Sequence, residues 1–210
     1  MKALQFSLLG SAFRSPEEFG AAPDDVAFVP RLIRRKLSML EKNALSVLGA
    51  VAPESPCPTV FASRFGEWRR TFSLLRQLRE EGEMSPAGFS LSVHNATPGI
   101  FSLVRGDVSA YTAVAATART IEAGLLEALL MRKPALFVYA EEPVPEFYAP
   151  EFKANVLACA FALHLAPGGA FELSAGTPGA APLTFAALKS FFENPGAGPL
   201  VAEAFSVKAC

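Results

Sequence analysis

Two neighbouring segments set the first limit on how this chain can fold. Residues 115–131 read as a helix with a face rich in small residues and nearly free of charge, and Ala135 to Ala140 form an uninterrupted apolar run. A helix of that kind packs on most of its sides. A short, wholly apolar strand belongs inside a sheet covered on both faces, as parallel strands are. The two together demand an interior, and the composition agrees: 51% of residues are hydrophobic, 19% are charged, and mean hydropathy is +0.30. Arg, Glu, Pro or Gly breaks every apolar run well short of the roughly twenty residues that span a bilayer. The excess is therefore expected in a buried helix or a large protein interface.

The rest of the chain alternates between strand-like and helix-like stretches. Residues 4–8 alternate as a first strand, and the short apolar N-terminus lacks the cleavage site of a signal peptide. Pro23 to Pro30 reads as loop. From Arg31, leucines and alanines recur at spacings of three and four, which predicts one helix ending before Pro53. A strand is expected at Pro58–Ser63 and a helix at Trp68–Glu83, with Phe72, Leu75 and Leu78 on its apolar side. Ser85–Gly99 is dense in turn formers and reads as a structured loop leading into a short helix, followed by a brief strand at Tyr111–Val114. Residues 154–165 fit a strand or a buried helix. Beyond Pro167 the density of Gly, Pro and Ala predicts a loosely organised extension with a helical patch at Phe185–Phe192. The pattern is that of one α/β domain with a mostly parallel sheet.

A net charge of −1 gives no electrostatic reason to expect nucleic acid or anionic lipid as a partner. Cys57, Cys159 and Cys210 are odd in number and scattered, so they imply neither a disulfide framework nor a metal cluster. A reducing cytoplasm is the natural setting.

Against this background two runs stand out: Ser85-Pro-Ala-Gly-Phe-Ser-Leu-Ser-Val-His-Asn-Ala-Thr-Pro-Gly99 and Thr112-Ala-Val-Ala-Ala-Thr-Ala-Arg-Thr-Ile121. They resemble the N-terminal half of the β-ketoacyl synthases of the thiolase superfamily. The first is similar to the Asn-Met-x-x-Gly loop of those enzymes, the second to their Thr-Ala-Cys-x-Ser/Thr-Gly nucleophile segment. Arg34-Arg-Lys-Leu-Ser38, Phe61-Ala-Ser-Arg-Phe-Gly66 and Ser92-Val-His-Asn95 further resemble the short ketosynthase-like proteins of aryl-polyene-type polyketide systems. The resemblance implies a thiolase-like N-terminal half, αβα in layering with a buried central helix, over residues 1–166, and an extension over 167–210. It also implies a cytoplasmic subunit of polyketide or fatty-acid synthesis that needs no metal or cofactor of its own.

The departures from the family pattern carry the functional expectation. A condensing enzyme needs a thiolate at the start of the buried helix, and the matching position is Val114, with Thr117 where a glycine usually follows. The oxyanion-stabilising histidines of the family's second half have no matching motif, and the histidines present are His94 and His164. The resemblance thus implies a non-catalytic subunit, of chain-length-factor type, paired with an active ketosynthase. Its interface and acyl-channel residues are expected at Gly88, Phe89, Leu91, Val93, His94 and Asn95, and along the strand at Ser109, Tyr111 and Ala113. Phe89, Leu91 and Val93 would limit acyl length by their bulk.

Plainer readings stand beside these. Arg31, Arg34, Arg35 and Lys36 fit either an acyl-carrier-protein dock or a solvated helix face. His94 reads as a structural histidine bonding backbone, in preference to a catalytic base. Cys159 and His164 read as core residues, leaving a divergent acyl hydrolase or transferase using His94 or Cys159 as the enzymatic alternative and a pure scaffold as another. Glu141 and Glu142 are expected to be solvated in a loop, and Trp68 to pack at a helix start.

Overall fold

A computed structural model describes residues 3–19, 24–148, 150 and 157–210. Among these residues the strands are β1 (Leu4–Arg14), β2 (Thr59–Ala62), β3 (Tyr111–Val114), β4 (Ala135–Glu141), β5 (Cys159–Pro167), β6 (Phe171–Ala175), β7 (Leu200–Val201) and β8 (Phe205–Ala209). Among the described residues the α-helices are α1 (Pro16–Phe19), α2 (Arg31–Arg34), α3 (Met39–Val51), α4 (Trp68–Glu81), α5 (Pro86–Ser90), α6 (Ala96–Arg105), α7 (Thr120–Leu130) and α8 (Phe185–Glu193). The strands form one sheet in the order β3-β2-β4-β5-β1-β6-β8-β7.

The sheet is mixed, and its parallel part is confined to one end. β2 pairs in parallel with β3 and with β4, because helices carry the chain from the end of each strand back to the start of the next. Among the described residues the other pairings are antiparallel, which corrects the expected predominance of parallel strands. An apolar run signals burial on both faces but carries no record of direction.

Side chains that alternate along the strands feed two cores. Val60, Ala62, Phe137, Phe161, Leu163 and Leu165 point to the face covered by α7 and α8. Phe61, Leu136, Val138, Ala140, Ala160 and Ala162 point to the face covered by α3 and α6. Burying a side chain such as Phe137 or Phe161 contributes roughly 1.5–3 kcal/mol. The buried helix comes unusually close to the sheet. A Cβ on Gly124 of α7 would lie 2.5 Å from Phe137 Cε2 and 2.9 Å from Ala62 Cβ.

Three expectations are corrected here. The helix expected from Arg31 to Pro53 is two: α2 is a single turn, the chain turns at 35–37, and α3 starts afresh behind a capping box. In that box Ser38 Oγ accepts from Glu41 N (3.0 Å) and Glu41 Oε2 accepts from Ser38 N (2.7 Å), satisfying two donors that an uninterrupted helix would not leave open. Next, α4 is amphipathic but its apolar side is not inside: Leu75 and Leu78 are 51% and 41% exposed, and Leu74 is the residue it buries. Last, the segment after Pro167 is ordered. β6, β7 and β8 extend the same sheet past β1, and Leu183, Leu188, Phe191, Phe192, Phe205 and Val207 join the core beneath α7. Its glycines and prolines serve the turns, and its phenylalanines cover a face that would otherwise lie open. The segment read as strand or helix is strand β5, while its part at 154–156 lies outside the described residues, as do residues 1–2 of the short apolar N-terminus and residue 23 of the expected loop.

Candidate functional site

The edge of the sheet begins with β3, which among the described residues pairs with β2 alone and leaves its other side open. Leading into it, Asp107 is buried and holds two backbone N–H groups, those of Cys57 and Ser109, each at 2.8 Å. Tyr111 is exposed on the strand and lies over α6, where a Cβ on Gly99 would meet its hydroxyl at 3.3 Å. Ala113 and Val114 are half-buried. Val114 ends the strand, and a short 3-10 turn at Thr117–Arg119 then opens α7. Thr117 adopts φ +51°, the left-handed conformation that a glycine takes at no cost. Thr120 closes the turn, its Oγ1 accepting from Ala116 N (3.0 Å) and donating to Thr117 O (2.8 Å). The strand, tight turn and buried helix are all present, and at Val114 the side chain is aliphatic.

On the opposite face of the sheet, α5 and the residues after it lie beside α6. Ser85 caps α5 by accepting from Gly88 N (3.1 Å), and Gly88 sits against Leu74, whose Cδ2 a Cβ would meet at 3.0 Å. Phe89 and Val93 are exposed, Leu91 is half-buried against the α3/α6 core, and Asn95 is exposed at the start of α6. Leu103, Val108 and Tyr111, on α6 and the stretch that leads from it into β3, are exposed as well. His94 turns inward. Its Nε2 lies 2.9 Å from Ser63 O, and its ring meets Phe61 edge to face at 5.5 Å.

Ser63 belongs to a turn held from below by a carboxyl group. Its Oγ accepts from Gly66 N (2.7 Å) and donates to Glu141 Oε1 (3.0 Å), which also accepts from Arg64 N. Glu141 and Glu142 are only 1% and 5% exposed, so the expected solvated loop is corrected: β4 runs on through Glu141 and carries both inward. Burial pushes each carboxyl up to about 7, reinforced at Glu142 by Glu67. Nearby, Arg70 bridges two more buried acids, Glu41 at 2.6 Å and Glu67 at 2.8 Å, and Ser38 Oγ donates to Glu67 (2.6 Å). Sequence reasoning missed Ser63 and Glu141. The available signal was a carboxylate directly ending a fully apolar strand, beside a Ser-Arg-x-Gly turn.

The enzymatic alternatives find little support in the geometry. Cys159 is buried, and burial together with Glu141 pushes its thiol up to about 12, far from a thiolate at neutral pH. It lines a cavity of about 740 Å³ with Tyr139, Ile121 and Leu183, whereas His164 lines a separate hollow with Lys133. The two are an odd number of residues apart on one strand and face opposite ways. Cys57, Cys159 and Cys210 are free thiols. Among the described residues no group of three or more His, Cys, Asp or Glu is placed to hold a metal ion, and no helix is long and apolar enough to cross a membrane. Arg31, Arg35 and Lys36 are exposed and Arg34 half-buried, on and just after the one-turn α2 instead of along one long helix. Trp68 packs at the start of α4 against Phe65 and Tyr148.

A sequence model of the family described as Beta-ketoacyl synthase, N-terminal domain, matches residues 12–189. Sequence comparison with the curated proteins finds no match. Among solved structures, a chain of the ketosynthase (ApeO) in complex with its chain length factor (ApeC) from Xenorhabdus doucetiae superposes with a TM-score of 0.78 at 21% identity, over 98% of this chain and 99% of that one. The ishigamide ketosynthase/chain length factor gives 0.55 at 14% identity, over 81% and 67%. AntDE:AntF, a type II acyl-carrier protein in complex with its hexaketide-bound ketosynthase, gives 0.65 at 13% identity, over 91% and 73%. The thiolase-like α/β fold expected from the sequence is thereby established.

Proposed function

This chain belongs to the β-ketoacyl synthase N-terminal domain family, and on that premise we propose that it is a non-catalytic, chain-length-factor-type subunit that pairs with an active ketosynthase in type II polyketide or fatty-acid synthesis. The observation that carries this reading is Val114, an aliphatic residue at the end of edge strand β3, directly before a left-handed turn and a buried helix. A strand, turn and helix of this form place a family nucleophile where the helix dipole favours its thiolate. Valine has no atom to carry an acyl group.

The open edge of β3, at Tyr111 and Ala113, is the docking strand in this reading, with Ser109 two residues before the strand begins, since free N–H and C=O groups on an edge invite pairing with a second chain. The exposed Phe89 and Val93, with Gly88, Leu91, His94 and Asn95 around them, then face the partner and narrow its acyl channel. Arg31, Arg34, Arg35 and Lys36 offer a carrier protein a basic surface. The near end-to-end match to a chain of the ApeO–ApeC complex supports a short subunit of this kind, and the free thiols suit the cytoplasm.

Co-expression with a ketosynthase encoded beside it tests the proposal. A stable one-to-one complex is expected, with no condensation by the isolated chain. A well-behaved monomer that ignores the ketosynthase, or acyl transfer by the chain alone, would refute it. Within the complex, Phe89→Ala, Leu91→Ala and Val93→Ala are expected to lengthen the product, and an unchanged product would leave a scaffold that never meets the acyl chain.

A further inference from the structure

Residues 88–95 have little of their own to hold them in place. α5 has five residues, Phe89, Val93 and Asn95 are exposed, and Asn95 starts α6 without a side-chain cap. Ser90 donates one turn back to Pro86 O within α5, and Ser92 donates to Phe89 O. Among the described residues, the one side-chain hydrogen bond from 88–95 that reaches beyond α5 and its cap is that of His94 to Ser63 O. A carbonyl oxygen only accepts, so His94 carries its proton on Nε2.

The direction of that carbonyl is fixed by the 63–66 turn, and the turn is fixed by Glu141. One carboxyl oxygen takes both the Ser63 hydroxyl and the Arg64 N–H, and Ser63 Oγ in turn takes Gly66 N. Gly66 has φ +57°, and a Cβ there would sit 2.7 Å from His94 Cδ2, so the turn and the imidazole are in direct contact. The other carboxyl oxygen of Glu141 is buried without a partner. Burying such a group is costly, and an apolar side chain would fill the space more cheaply. What the carboxyl adds is a fixed acceptor.

We propose that Glu141 is the positioning residue of the 88–95 segment: its carboxyl sets the turn at 63–66, and the Ser63 carbonyl of that turn sets His94. The functional weight of this rests on the reading that 88–95 faces a partner ketosynthase. The relay crosses from the end of β4 to the far side of β2, so it ties the exposed segment to a buried part of the sheet.

The test uses the full chain with Glu141→Met, which fills the space without an acceptor, and Glu141→Gln, which keeps one acceptor oxygen. Glu141→Met is expected to speed amide hydrogen exchange at 63–66 and 92–96 by about fivefold to tenfold, the scale of one lost hydrogen bond. It should also move the His94 ring nitrogen resonances away from their bonded Nε2–H positions. Glu141→Gln should leave both near those of the unaltered chain. Ser63→Ala should reproduce the Met signature, and the double variant should add little to it. Unmoved His94 resonances in Glu141→Met would overturn the proposal, as would a uniform rise in exchange over the whole fold in both variants. These readouts need no partner, so they decide the relay even if the chain never binds a ketosynthase and the proposed function fails. In the complex, Glu141→Met is expected to weaken pairing about tenfold and Glu141→Gln to leave it intact. A loosened segment with unchanged pairing would overturn the link from Glu141 to the interface.

Discussion

At position 117 a β-branched side chain holds a backbone angle that glycine adopts freely. The left-handed conformation costs an L-residue roughly 1–2 kcal/mol, and here it persists because Thr120 ties both sides of the turn with its hydroxyl. Thr117 itself is exposed and its side chain makes no hydrogen bond to the described residues, so replacing it removes strain and little else. Thr117→Gly is expected to raise stability by about 1 kcal/mol, somewhat less than the full strain because glycine gains freedom in the unfolded chain. A higher urea midpoint at unchanged slope is the measurement; a lower one would mean that the side chain has a role the turn geometry does not reveal. Position 117 was legible as a departure from the family pattern, because the residues around it match that pattern without a gap. That the turn survives the departure was not, since the spacing of residues says nothing about φ.

Elements show the same division between what periodicity can and cannot carry. β3, β4 and α7 stand close to where the pattern places them, because an alternating or fully apolar run and a small-residue helix have few other ways to hide. The break between α2 and α3 was hidden by leucines that keep their spacing across it, and only the hydrogen bonds of Ser38 and Glu41 reveal the second start. The C-terminal strands were masked by glycine and proline, which punctuate a sheet as readily as a loose tail. Glu141 was missed because composition cannot say whether a charge after an apolar strand leaves the core or continues it. α7 also shows how far an element depends on one missing atom. Gly124→Ala would improve helix propensity by about 1 kcal/mol, but its methyl group would collide with Phe137 and Ala62, neither of which has room to yield. The collision should win. A net loss of about 2 kcal/mol is expected, read as a lower denaturant midpoint, and a gain would mean that α7 can lift away from the sheet.

The whole molecule is a single sheet between two helical layers, and its least ordinary property is the number of acids it takes inside. Burial pushes Glu41, Glu141 and Glu142 up to about 7, with Glu67 adding repulsion at Glu41 and Glu142. In the unfolded chain these groups titrate near the ordinary glutamate value of 4.5. The folded state therefore holds protons that the unfolded state releases as pH rises between about 4.5 and 7. Stability from these groups is complete below the lower value and is lost as pH climbs through the upper one. Asp107 works in the opposite sense. Burial pulls its carboxyl upward, the N–H groups of Cys57 and Ser109 outweigh that, and it ends below its ordinary range, so its contribution is already constant above pH 5. The carboxyls tie α3, α4 and β4 together, so their protonation should be felt across the fold and not at one loop. Between pH 5.5 and 8.5 the melting midpoint is expected to fall by on the order of 5 °C, which is about 2 kcal/mol for a chain of this size. Glu142→Gln should remove part of that slope and raise the midpoint at pH 8.5, since it deletes a buried charge on which burial and Glu67 outweigh the favourable pull of Arg69, and which has no salt bridge among the described residues. A midpoint that holds steady or rises with pH would show that Arg70 and the surrounding N–H groups keep these carboxylates charged at less cost than their burial implies.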